Sequence, residues 1–395
     1  MKRRRLLQGL AAAACCAPAA RLLAAPAAGS RLLVVFMRGG YDAASLLVPV
    51  GSSFYYESRP RIAIPRPGSG PGAAEELDAA WGLHPALRDT LLPMYRRGEL
   101  AFVPFAGTDD LTRSHFETQD SIELGQSDGP TRDYRTGFLN RLAGVLAGSH
   151  PIALTEQLPI IFRGALQVPN MALKTLGKPG VDERQSALIE SMYRSTPLGG
   201  PVTEGFSVRG EVLREAALEM QAAGRDAISA KGFELEARRI ARLMKEQFNI
   251  GFVDIGGWDT HVGQGAATGA LAGRLEELGR GLAAFAAETG EAAWRSTVVV
   301  VLSEFGRTFR ENGNLGTDHG HGSVYWVLGG AIRGGRVAGE QVPVLRETLF
   351  QDRDYPVLNG YRELFAGLFQ RMYGLSPAQI AQVFPGLRRS GLELI

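Results

Sequence analysis

Two apolar runs, separated by a loop of charged residues and glycines, constrain the fold of this chain most strongly. They are residues 298–302 and 324–328. A short apolar run bounded by polar turn residues indicates a strand buried on both faces, as in a parallel α/β sheet. Glu304, Arg307 and Arg310 follow the first run at its carboxyl end. Because ligands of open α/β sheets bind beyond that end of the strands, we expect the functional site there.

The loop before the second run contains the sequence Asp-His-Gly-His, with Asp318, His319 and His321. On extended backbone, residues two apart face the same side, so the two histidines can project together. The flanking glycines allow a fold tight enough for Asp318 to join them. Carboxylate oxygen beside imidazole nitrogen suits zinc, manganese or iron. The alternative is a hydrogen-bonded Asp–His pair that caps a turn.

A second motif of the same kind follows the apolar residues 252–255, where a glycine pair leads to Asp259 and His261. Only 6 histidines occur in the chain, and three of them follow predicted strands beside aspartates. Histidines scattered through a core would not cluster in this way. The two motifs together predict a metal site with ligands from both loops.

The first predicted strand, residues 31–36, ends in the same manner, because a Gly-Gly turn brings Asp42 just beyond it. Asp42 is therefore a candidate ligand, and its alternative role is to cap the next helix. Arg38 precedes the turn. It either neutralises an anionic substrate or pairs with a carboxylate.

A segment rich in functional groups, residues 108–120, follows another predicted strand at residues 100–105. A hydroxyl at the start of a helix is well placed to act as a nucleophile, because the helix dipole stabilises negative charge there. Ser114 is the first candidate and Thr112 the second. The alternative is that either hydroxyl only caps the helix. His115 could be a ligand, a proton donor or a structural residue.

Residues 28–395 are predicted to form one domain, with strands and helices alternating along the chain. This order indicates a mostly parallel sheet covered by helices on both faces. The Pro- and Gly-rich residues 52–82 predict a loop, residues 83–97 a helix, and residues 151–154 and 159–162 short strands. An alanine-rich helical insertion is predicted at about residues 168–245.

Residues 1–27 have the basic start, short apolar stretch and small-residue cleavage site of an export signal. The pair Arg3 and Arg4 resembles a twin-arginine signal, and the alternative is an ordinary secretory signal. Cleavage would remove both cysteines, Cys15 and Cys16, and five basic residues, changing the net charge from +2 to −3. We therefore expect a periplasmic or secreted protein, with the twin-arginine translocase as a partner during export. We expect no nucleic-acid surface and no transmembrane span in the mature chain.

Several motifs together resemble the DUF1501 family of exported bacterial proteins, over essentially the whole mature chain. That family is similar to the alkaline phosphatase and sulfatase superfamily, whose fold is an α/β sandwich with metals at the strand ends. The segment from Asp318 to His321 is similar to the Asp-His-Ala-His segment of alkaline phosphatases. The motifs are the arginine signal, residues 37–42, 114–117, 257–261, 303–308 and 316–322.

The resemblance implies a role for each of these residues. One metal would be held by Asp42, Asp318 and His319, with the nucleophilic hydroxyl of Ser114 beside it. Asp259 and His261 would hold a second metal, and His321 would be a further ligand or an outer partner. Arg38, Arg307 or Arg310 would hold the oxygens of an anion.

Two departures from the superfamily narrow this expectation. No histidine follows His321, and no Cys-x-Pro-x-Arg segment exists, which excludes a sulfatase of the formylglycine type. The resulting hypothesis is an exported hydrolase of phosphate or sulfate esters that depends on one or two zinc, manganese or iron ions. A non-catalytic envelope binding or assembly protein that retains the fold is the main alternative. A redox enzyme with one iron or manganese is a third.

Overall fold

A mostly parallel sheet forms the centre of the computed structural model, which describes residues 29–126, 132–171, 183–207 and 232–387. The main sheet has eight strands, and a small second sheet has three. The predicted export signal, residues 1–27, lies outside the described residues. The strands of the described residues are β1 (Arg31–Met37), β2 (Leu47–Val48), β3 (Glu75–Glu76), β4 (Gly82–Leu83), β5 (Leu100–Gly107), β6 (Pro151–Leu154), β7 (Ile250–Ile255), β8 (Thr297–Ser303), β9 (Ser323–Gly329), β10 (Arg336–Val337) and β11 (Asn359–Gly360).

The main sheet follows the order β10-β5-β9-β8-β1-β7-β6, and β11 pairs with β5. Strands β1 and β8 lie in its middle because both are apolar almost throughout, and every residue of β8 is buried. Val34 of β1 stands in register between Val300 of β8 and Phe252 of β7. The two predicted strands that flank the charged loop are therefore present.

Strand β9 runs antiparallel to both of its neighbours, β5 and β8, whereas the other pairs of the main sheet are parallel. Its first residue, Ser323, therefore lies at the same edge as the last residues of β1, β7 and β8. The Asp-His-Gly-His segment ends two residues before Ser323. Because of this reversal, the segment lies at the sheet edge that also carries Asp259 and His261.

Helices cover both faces of the sheet. Within the described residues they are α1 (Ala43–Leu46), α2 (Ser53–Ser58), α3 (Leu91–Arg96), α4 (His115–Leu124), α5 (Phe138–Val145), α6 (Glu183–Tyr193), α7 (Phe233–Glu246), α8 (Ala270–Thr289), α9 (Glu291–Trp294), α10 (Tyr361–Tyr373) and α11 (Pro377–Val383). Residues 199–207 are also helical.

Alternate residues of the central strands point into two separate apolar clusters. Val35 of β1 packs in one cluster with residues of α7 and α8, such as Ile240 and Leu275. Val34, its neighbour, packs in the other with residues of α5 and α10, such as Phe138 and Phe365. This alternation is what a strand with period two requires when both faces are covered. The predicted α/β class, with a mostly parallel sheet and helices on both faces, is confirmed.

The predicted helix over residues 83–97 is wrong in its first half. Proline disfavours helical backbone in the residue before it. His84 is accordingly extended, and a short 3₁₀ helix, Pro85–Leu87, follows it. The α-helix begins only at Leu91.

Two other local predictions also differ from the structure. Residues 159–162, predicted as a strand, contain the 3₁₀ helix Ile160–Phe162, in which the N–H of Phe162 donates to the carbonyl of Pro159. An apolar run this short is compatible with either conformation. The predicted loop at residues 52–82 contains α2, whose N-terminus is capped by the hydroxyl of Ser52.

The predicted helical insertion at about residues 168–245 lies partly outside the described residues, which omit 172–182 and 208–231. Its described part includes α6 and α7. Helix α7 packs on α8 through buried residues such as Ile240 and Met244, so it contributes to the core. None of the described helices has the length and apolar character required to cross a membrane.

Candidate metal centre

Three imidazoles and one carboxylate meet at the carboxyl edge of the main sheet. Asp259 and His261 follow β7, His319 lies in the loop that enters β9, and His115 begins α4. The ring centroid of His319 lies 4.3 Å from that of His115 and 4.9 Å from that of His261. Three segments that are remote in sequence thus contribute to one group, which we call the donor cluster.

The Gly39-Gly40 turn after β1 allows the Asp259 loop to approach the sheet. Both glycines have left-handed backbone, with φ of +127° and +62°. A Cβ on Gly39 would lie 2.7 Å from the backbone nitrogen of Asp259, and one on Gly40 would lie 2.4 Å from the ring of Phe305. Only glycine satisfies both conditions. The turn is therefore a requirement of the donor cluster's geometry.

Three donor atoms of the cluster form a small triangle. Nε2 of His261 lies 3.1 Å from Nε2 of His319 and 3.0 Å from Oδ1 of Asp259. Nε2 of His319 lies 3.3 Å from the same Oδ1. His115 brings its Nε2 to 3.7 Å from the other oxygen, Oδ2. One ligand atom each of His115, Asp259 and His319 lies within 4.8 Å of the other two, which is close enough for the three to share a metal ion.

The outer nitrogens of the three rings determine which nitrogen faces the cluster. Nδ1 of His319 donates to the carbonyl of Arg113 at 3.0 Å, and a carbonyl can only accept. Nδ1 of His261 lies 3.0 Å from a carboxylate oxygen of Asp318, and Nδ1 of His115 lies 2.7 Å from one of Glu304. In the neutral rings, Nδ1 therefore carries the proton and the Nε2 lone pairs point at one another.

This arrangement fits a divalent cation. Two nitrogen lone pairs 3.1 Å apart repel unless a positive charge lies between them. Nε2 of His115 is buried and has no hydrogen-bond partner among the described residues. Donors held about 2.1 Å from a cation at right angles stand about 3 Å apart, which is the size of the triangle. Imidazole with carboxylate is a donor set for zinc, manganese or iron.

Glu304 is the buried anion beneath the cluster. Its Oε1 accepts hydrogen bonds from the backbone N–H of Gly39 at 2.9 Å and from Gln119 at 2.8 Å, besides the bond from His115. Its Oε2 accepts one from the hydroxyl of Ser303 at 2.8 Å. Burial alone would raise the pKa of Glu304, but these bonds hold it below the usual range. The resulting carboxylate fixes the orientation of the His115 ring.

The surroundings of the cluster shift the pKa values of His115 and His319 in opposite directions. The hydrogen bond to Glu304 raises the pKa of His115. Burial, followed by the charge of His115, lowers the pKa of His319. Burial would raise the pKa of Asp259, but Arg307 and His261 together lower it. His319 is thus held neutral and Asp259 anionic, which are the states in which both bind metals.

Arg307 brings a buried positive charge to the edge of the cluster. Its side chain is 0% exposed, and Nη2 lies 2.7 Å from Oδ1 of Asp259. No guanidinium nitrogen of Arg307 has a well-aligned hydrogen-bond acceptor among the described residues. Burial lowers its pKa, and Asp259 opposes this effect. The guanidinium therefore has donors available for an anion that binds beside Asp259.

Asp318, which the sequence suggested as a direct ligand, holds a neighbouring ring. Its Oδ1 accepts hydrogen bonds from His261 and from Asn312, both at 3.0 Å. Burial would raise the pKa of Asp318, but the bonds from Asn312 and His261 lower it. A carboxylate on the outer nitrogen of a ligand histidine is a common arrangement at metal sites.

Asp42 lies in a different environment from the one that the sequence suggested. Both of its oxygens accept hydrogen bonds from Arg59, at 2.5 and 2.9 Å, and Oδ2 also accepts from Ser45 and Gln264. Burial would raise the pKa of Asp42, but Arg59 lowers it. The structure places this carboxylate in a buried ion pair and not in the donor cluster, because Arg59 binds both of its oxygens.

His321 also lies outside the group of converging donors within the described residues. Its buried ring packs 5.1 Å from that of Phe350. Burial lowers its pKa to about 4. The two histidines of the Asp-His-Gly-His segment therefore point into different environments.

Arg38 and Arg310, two candidates for binding an anion, are already paired. Arg38 donates to Asp254 at 2.6 Å, to Gln119 at 2.8 Å and to Glu123 at 2.9 Å. Arg310 pairs with Asp352 at the surface. Through Gln119 and Glu123, Arg38 instead stabilises the position of α4, the helix that carries His115.

Ser114 and Thr112 lie directly before His115. Ser114 is the N-cap residue of α4, yet its side chain makes no capping hydrogen bond. Thr112 uses its hydroxyl oxygen to accept the N–H of Ser114 at 3.3 Å. The proposed capping role is thus not adopted by the Ser114 hydroxyl, and its role as a nucleophile stays a prediction.

For two residues of the site, the sequence did not decide the role: His115 was left open as a ligand, a proton donor or a structural residue, and Glu304 was placed at this edge of the sheet without a role. A signal for Glu304 was present, because it is a polar residue directly after a fully apolar strand. His115 gave a weaker signal, since its role depends on how α4 docks against the sheet edge.

Comparison with known proteins assigns the chain to a family. The model for the family described as "Protein of unknown function (DUF1501)" matches residues 29–384. The chain belongs to this family. A search of curated proteins found no match to this DUF1501 protein.

Several solved structures resemble the DUF1501 protein remotely. A protein in the alkaline phosphatase superfamily from Vibrio parahaemolyticus is 11% identical, with a TM-score of 0.39, over 88% of this chain and 68% of that chain. The lipoteichoic acid synthase LtaP from Listeria monocytogenes is 8% identical, with a TM-score of 0.40, over 89% and 74%. A phosphonate monoester hydrolase from Agrobacterium radiobacter is 11% identical, with a TM-score of 0.37, over 92% and 78%.

Proposed function

We propose that this DUF1501 protein is a metal-dependent hydrolase of phosphate or sulfate esters. The observation that carries the proposal is the convergence of three imidazole Nε2 atoms on the carboxylate of Asp259, with the outer nitrogen of each ring held by an acceptor. Such outer contacts cost conformational freedom and fix the rings in the orientation that a cation needs. A structural Asp–His pair would need only one of them.

In this proposal, His115, His261, His319 and Asp259 hold the cation. When bound, a divalent cation supplies Lewis-acid chemistry by stabilising negative charge on oxygen. Glu304 and Asp318 keep two of the rings oriented, through contacts of 2.7 and 3.0 Å. The chain's own residues thus assemble the site before any substrate arrives.

Arg307 supplies the contact to the substrate. Its buried guanidinium offers several N–H groups in a planar fork, which matches two oxygens of a phosphoryl or sulfuryl group. Nη2 contacts the nearest anion, Asp259, at 2.7 Å, and the other guanidinium nitrogens, Nε and Nη1, have no hydrogen-bond partner among the described residues. The oxygens of the ester would satisfy them. This feature favours an oxyanion ester over a neutral substrate.

Ser114 is the proposed nucleophile. Its hydroxyl precedes His115 and is not used to cap α4. The helix start lowers the energy of a developing oxyanion at that position. Attack by the Ser114 oxygen on phosphorus or sulfur would break the ester bond and release the alcohol, which takes up the hydroxyl proton, and would leave the phosphoryl or sulfuryl group on Ser114. Water would then cleave that bond, releasing phosphate or sulfate and restoring the hydroxyl.

Metal analysis with matched variants tests the proposal. The mature chain is purified with zinc, manganese and iron supplied, beside Asp259→Asn, His319→Ala and the control His150→Ala, an exposed histidine just before β6 at the opposite edge of the sheet. We expect roughly one equivalent of metal in the wild type and the control, and a loss in both cluster variants. Equal metal in all four proteins, or none in the wild type, would refute the metal centre.

Turnover distinguishes the hydrolase from the non-catalytic alternative. Wild type with metal is tested on p-nitrophenyl phosphate, bis-p-nitrophenyl phosphate and p-nitrophenyl sulfate. We expect hydrolysis of at least one ester that His319→Ala lacks and His150→Ala retains. A protein that binds metal through the donor cluster but hydrolyses none of them, or no wider panel of phosphate and sulfate esters, would instead be a binding or assembly protein.

We also propose export by the twin-arginine pathway to the periplasm or beyond. The support is the sequence of residues 1–27. A reporter fused to this segment should be exported, and the double change of Arg3 and Arg4 to Lys should abolish export. Arg21→Lys is the matched control. Normal export of the double variant would contradict the proposal.

A further inference from the structure

Gln264 is a buried amide that connects the loops carrying the donor cluster. It is 0% exposed. Its Oε1 accepts hydrogen bonds from the hydroxyls of Thr260 at 3.1 Å and Thr317 at 3.0 Å. Its Nε2 donates to Oδ2 of Asp42 at 2.6 Å. One side chain thus links the loops after β1 and β7 with the loop before β9.

The two threonines lie directly beside the proposed ligands. Thr260 stands between Asp259 and His261, and Thr317 precedes Asp318 and His319. The backbones of the two loops also meet, since the N–H of Thr317 donates to the carbonyl of Thr260 at 3.2 Å. A shift of either threonine would change the distances between the donor atoms. The single oxygen of Gln264 therefore fixes both loops to one point.

The orientation of the Gln264 amide follows from its partners. An ionised carboxylate can only accept, so the amide nitrogen faces Asp42 and the oxygen faces the two hydroxyls. Asp42 itself is held by Arg59, which also donates to the carbonyls of Thr308 at 3.1 Å and Phe309 at 2.6 Å. These residues follow Arg307 directly. The buried ion pair thus anchors the Arg307 loop as well as Gln264.

We propose that Gln264 is a positioning residue of the metal centre. By holding Thr260 and Thr317 on one oxygen, it sets the separation of Asp259, His261 and His319. Asp42 and Arg59 form the fixed base to which it is attached. The inference rests on the proposed metal centre, but it does not depend on which ester, if any, is hydrolysed.

Binding of cobalt(II) tests the proposal without any assay of activity. Cobalt(II) replaces zinc in such sites, and its visible absorption reports the coordination geometry. Gln264→Met keeps the length of the side chain and removes its hydrogen bonds. We expect a tenfold to hundredfold weaker affinity for cobalt and an altered spectrum, because outer partners of metal ligands have effects of roughly this size.

Three threonine variants complete the experiment, two as further tests and one as a control. Thr260→Val and Thr317→Val each remove one bond to Gln264 and should weaken cobalt binding by less than Gln264→Met. Their effects should not be additive, since both bonds end on the same oxygen. Thr289→Val removes an equally buried hydroxyl that bonds to Phe285 in α8. It should leave cobalt binding unchanged even if it lowers the melting temperature.

The outcomes separate this proposal from the proposed metal centre. Wild-type protein that binds no cobalt would refute both. Tight cobalt binding by the wild type, with the same affinity and spectrum in Gln264→Met, would refute only the positioning role. If Gln264→Met does not fold, the two threonine variants decide: unchanged affinity and spectrum in both overturn the proposal, and weakened binding in both supports it.

Discussion

Glu304 holds the ring of His115 through a hydrogen bond of 2.7 Å between Oε1 and Nδ1. The carboxylate follows β8, whereas the histidine begins α4. The contact therefore joins a helix to the centre of the sheet and turns Nε2 of His115 toward Asp259. The fully buried carboxylate of Glu304 remains charged because His115 and three other donors form hydrogen bonds to its oxygens.

Replacing Glu304 with Gln should weaken metal binding by at least about tenfold. The amide is neutral and no longer favours the proton on Nδ1 of His115, so Nε2 becomes a poorer ligand. The dissociation constant for zinc, measured with a competing chelator, checks this expectation. Glu99→Gln, which disrupts an exposed ion pair with Arg97, is the control and should bind zinc normally. Equal affinity of all three proteins would contradict the role given to Glu304.

Replacing Arg307 with Lys should lower kcat/KM for the responsive ester by about a hundredfold. Lysine keeps the positive charge but loses the planar fork that binds two oxygens. Inhibition by inorganic phosphate should weaken in parallel, whereas metal content should stay the same. Arg310→Lys is the control, since Arg310 lies three residues away and pairs with Asp352 at the surface. Unchanged kinetics in Arg307→Lys would remove Arg307 from the site.

Replacing Ser114 with Ala should abolish ester turnover and leave the metal content intact. The change removes the proposed nucleophile, and the side chain makes no capping bond in α4 that would be lost. Steady-state kinetics and metal analysis on the same preparation check this. Thr112→Val should retain turnover if Ser114 is the nucleophile. Full activity of Ser114→Ala would transfer that role elsewhere.

Replacing Asp42 with Asn should reduce the free energy of unfolding by about 3–5 kcal/mol. The change leaves Arg59 as an uncompensated charge in a fully buried position. Urea unfolding of the metal-free protein gives the value without a contribution from bound metal. Asp352→Asn removes an exposed partner of Arg310 and should have little effect. A loss as small as that of the control would contradict the buried pair.

His84 should make stability depend on pH between about 7 and 5. Burial lowers its pKa to about 4, while the unfolded chain titrates near 6.5. The unfolded state therefore binds more protons in this interval, and stability falls as the pH decreases. The contribution of His84 is about 2 kcal/mol between pH 7 and pH 5. This stabilisation by His84 is fully present above about pH 6.5 and is lost as the pH falls toward about 4.

His84→Gln should therefore reduce the change in the free energy of unfolding between pH 7 and pH 5 by about 2 kcal/mol. Urea unfolding of the wild type and the variant at both pH values measures this difference. Chelator is present throughout, so that the histidines of the donor cluster contribute equally to both proteins. Parallel pH profiles of the two proteins would show that His84 is not responsible. His150→Gln, at an exposed position, is the control and should keep the wild-type slope.

The apolar runs of the sequence determine the central strands. Residues 298–302 and 324–328 have no polar side-chain atoms except the hydroxyl of Tyr325 and the indole N–H of Trp326. We therefore expect both runs to be buried, and β8 and β9 contain them. Because ligand sites form where such strands end, the sequence also indicates that Asp259, His261 and His319 belong to one site. Local pattern carries this information because it depends only on side-chain chemistry and the period of a strand.

The tertiary structure alone decides which charged group each carboxylate meets. Asp42 and Asp259 look alike in the sequence, each following a strand and a glycine pair. Arg59, at the end of α2, bonds to both oxygens of Asp42, whereas Arg307 contacts one oxygen of Asp259 and three imidazoles surround that carboxylate. The antiparallel direction of β9 and the docking of α4 likewise depend on packing between distant segments. Such pairings are set by the free energy of the whole fold, because a charge is stabilised by whatever lies within a few ångströms of it, whatever the separation along the chain.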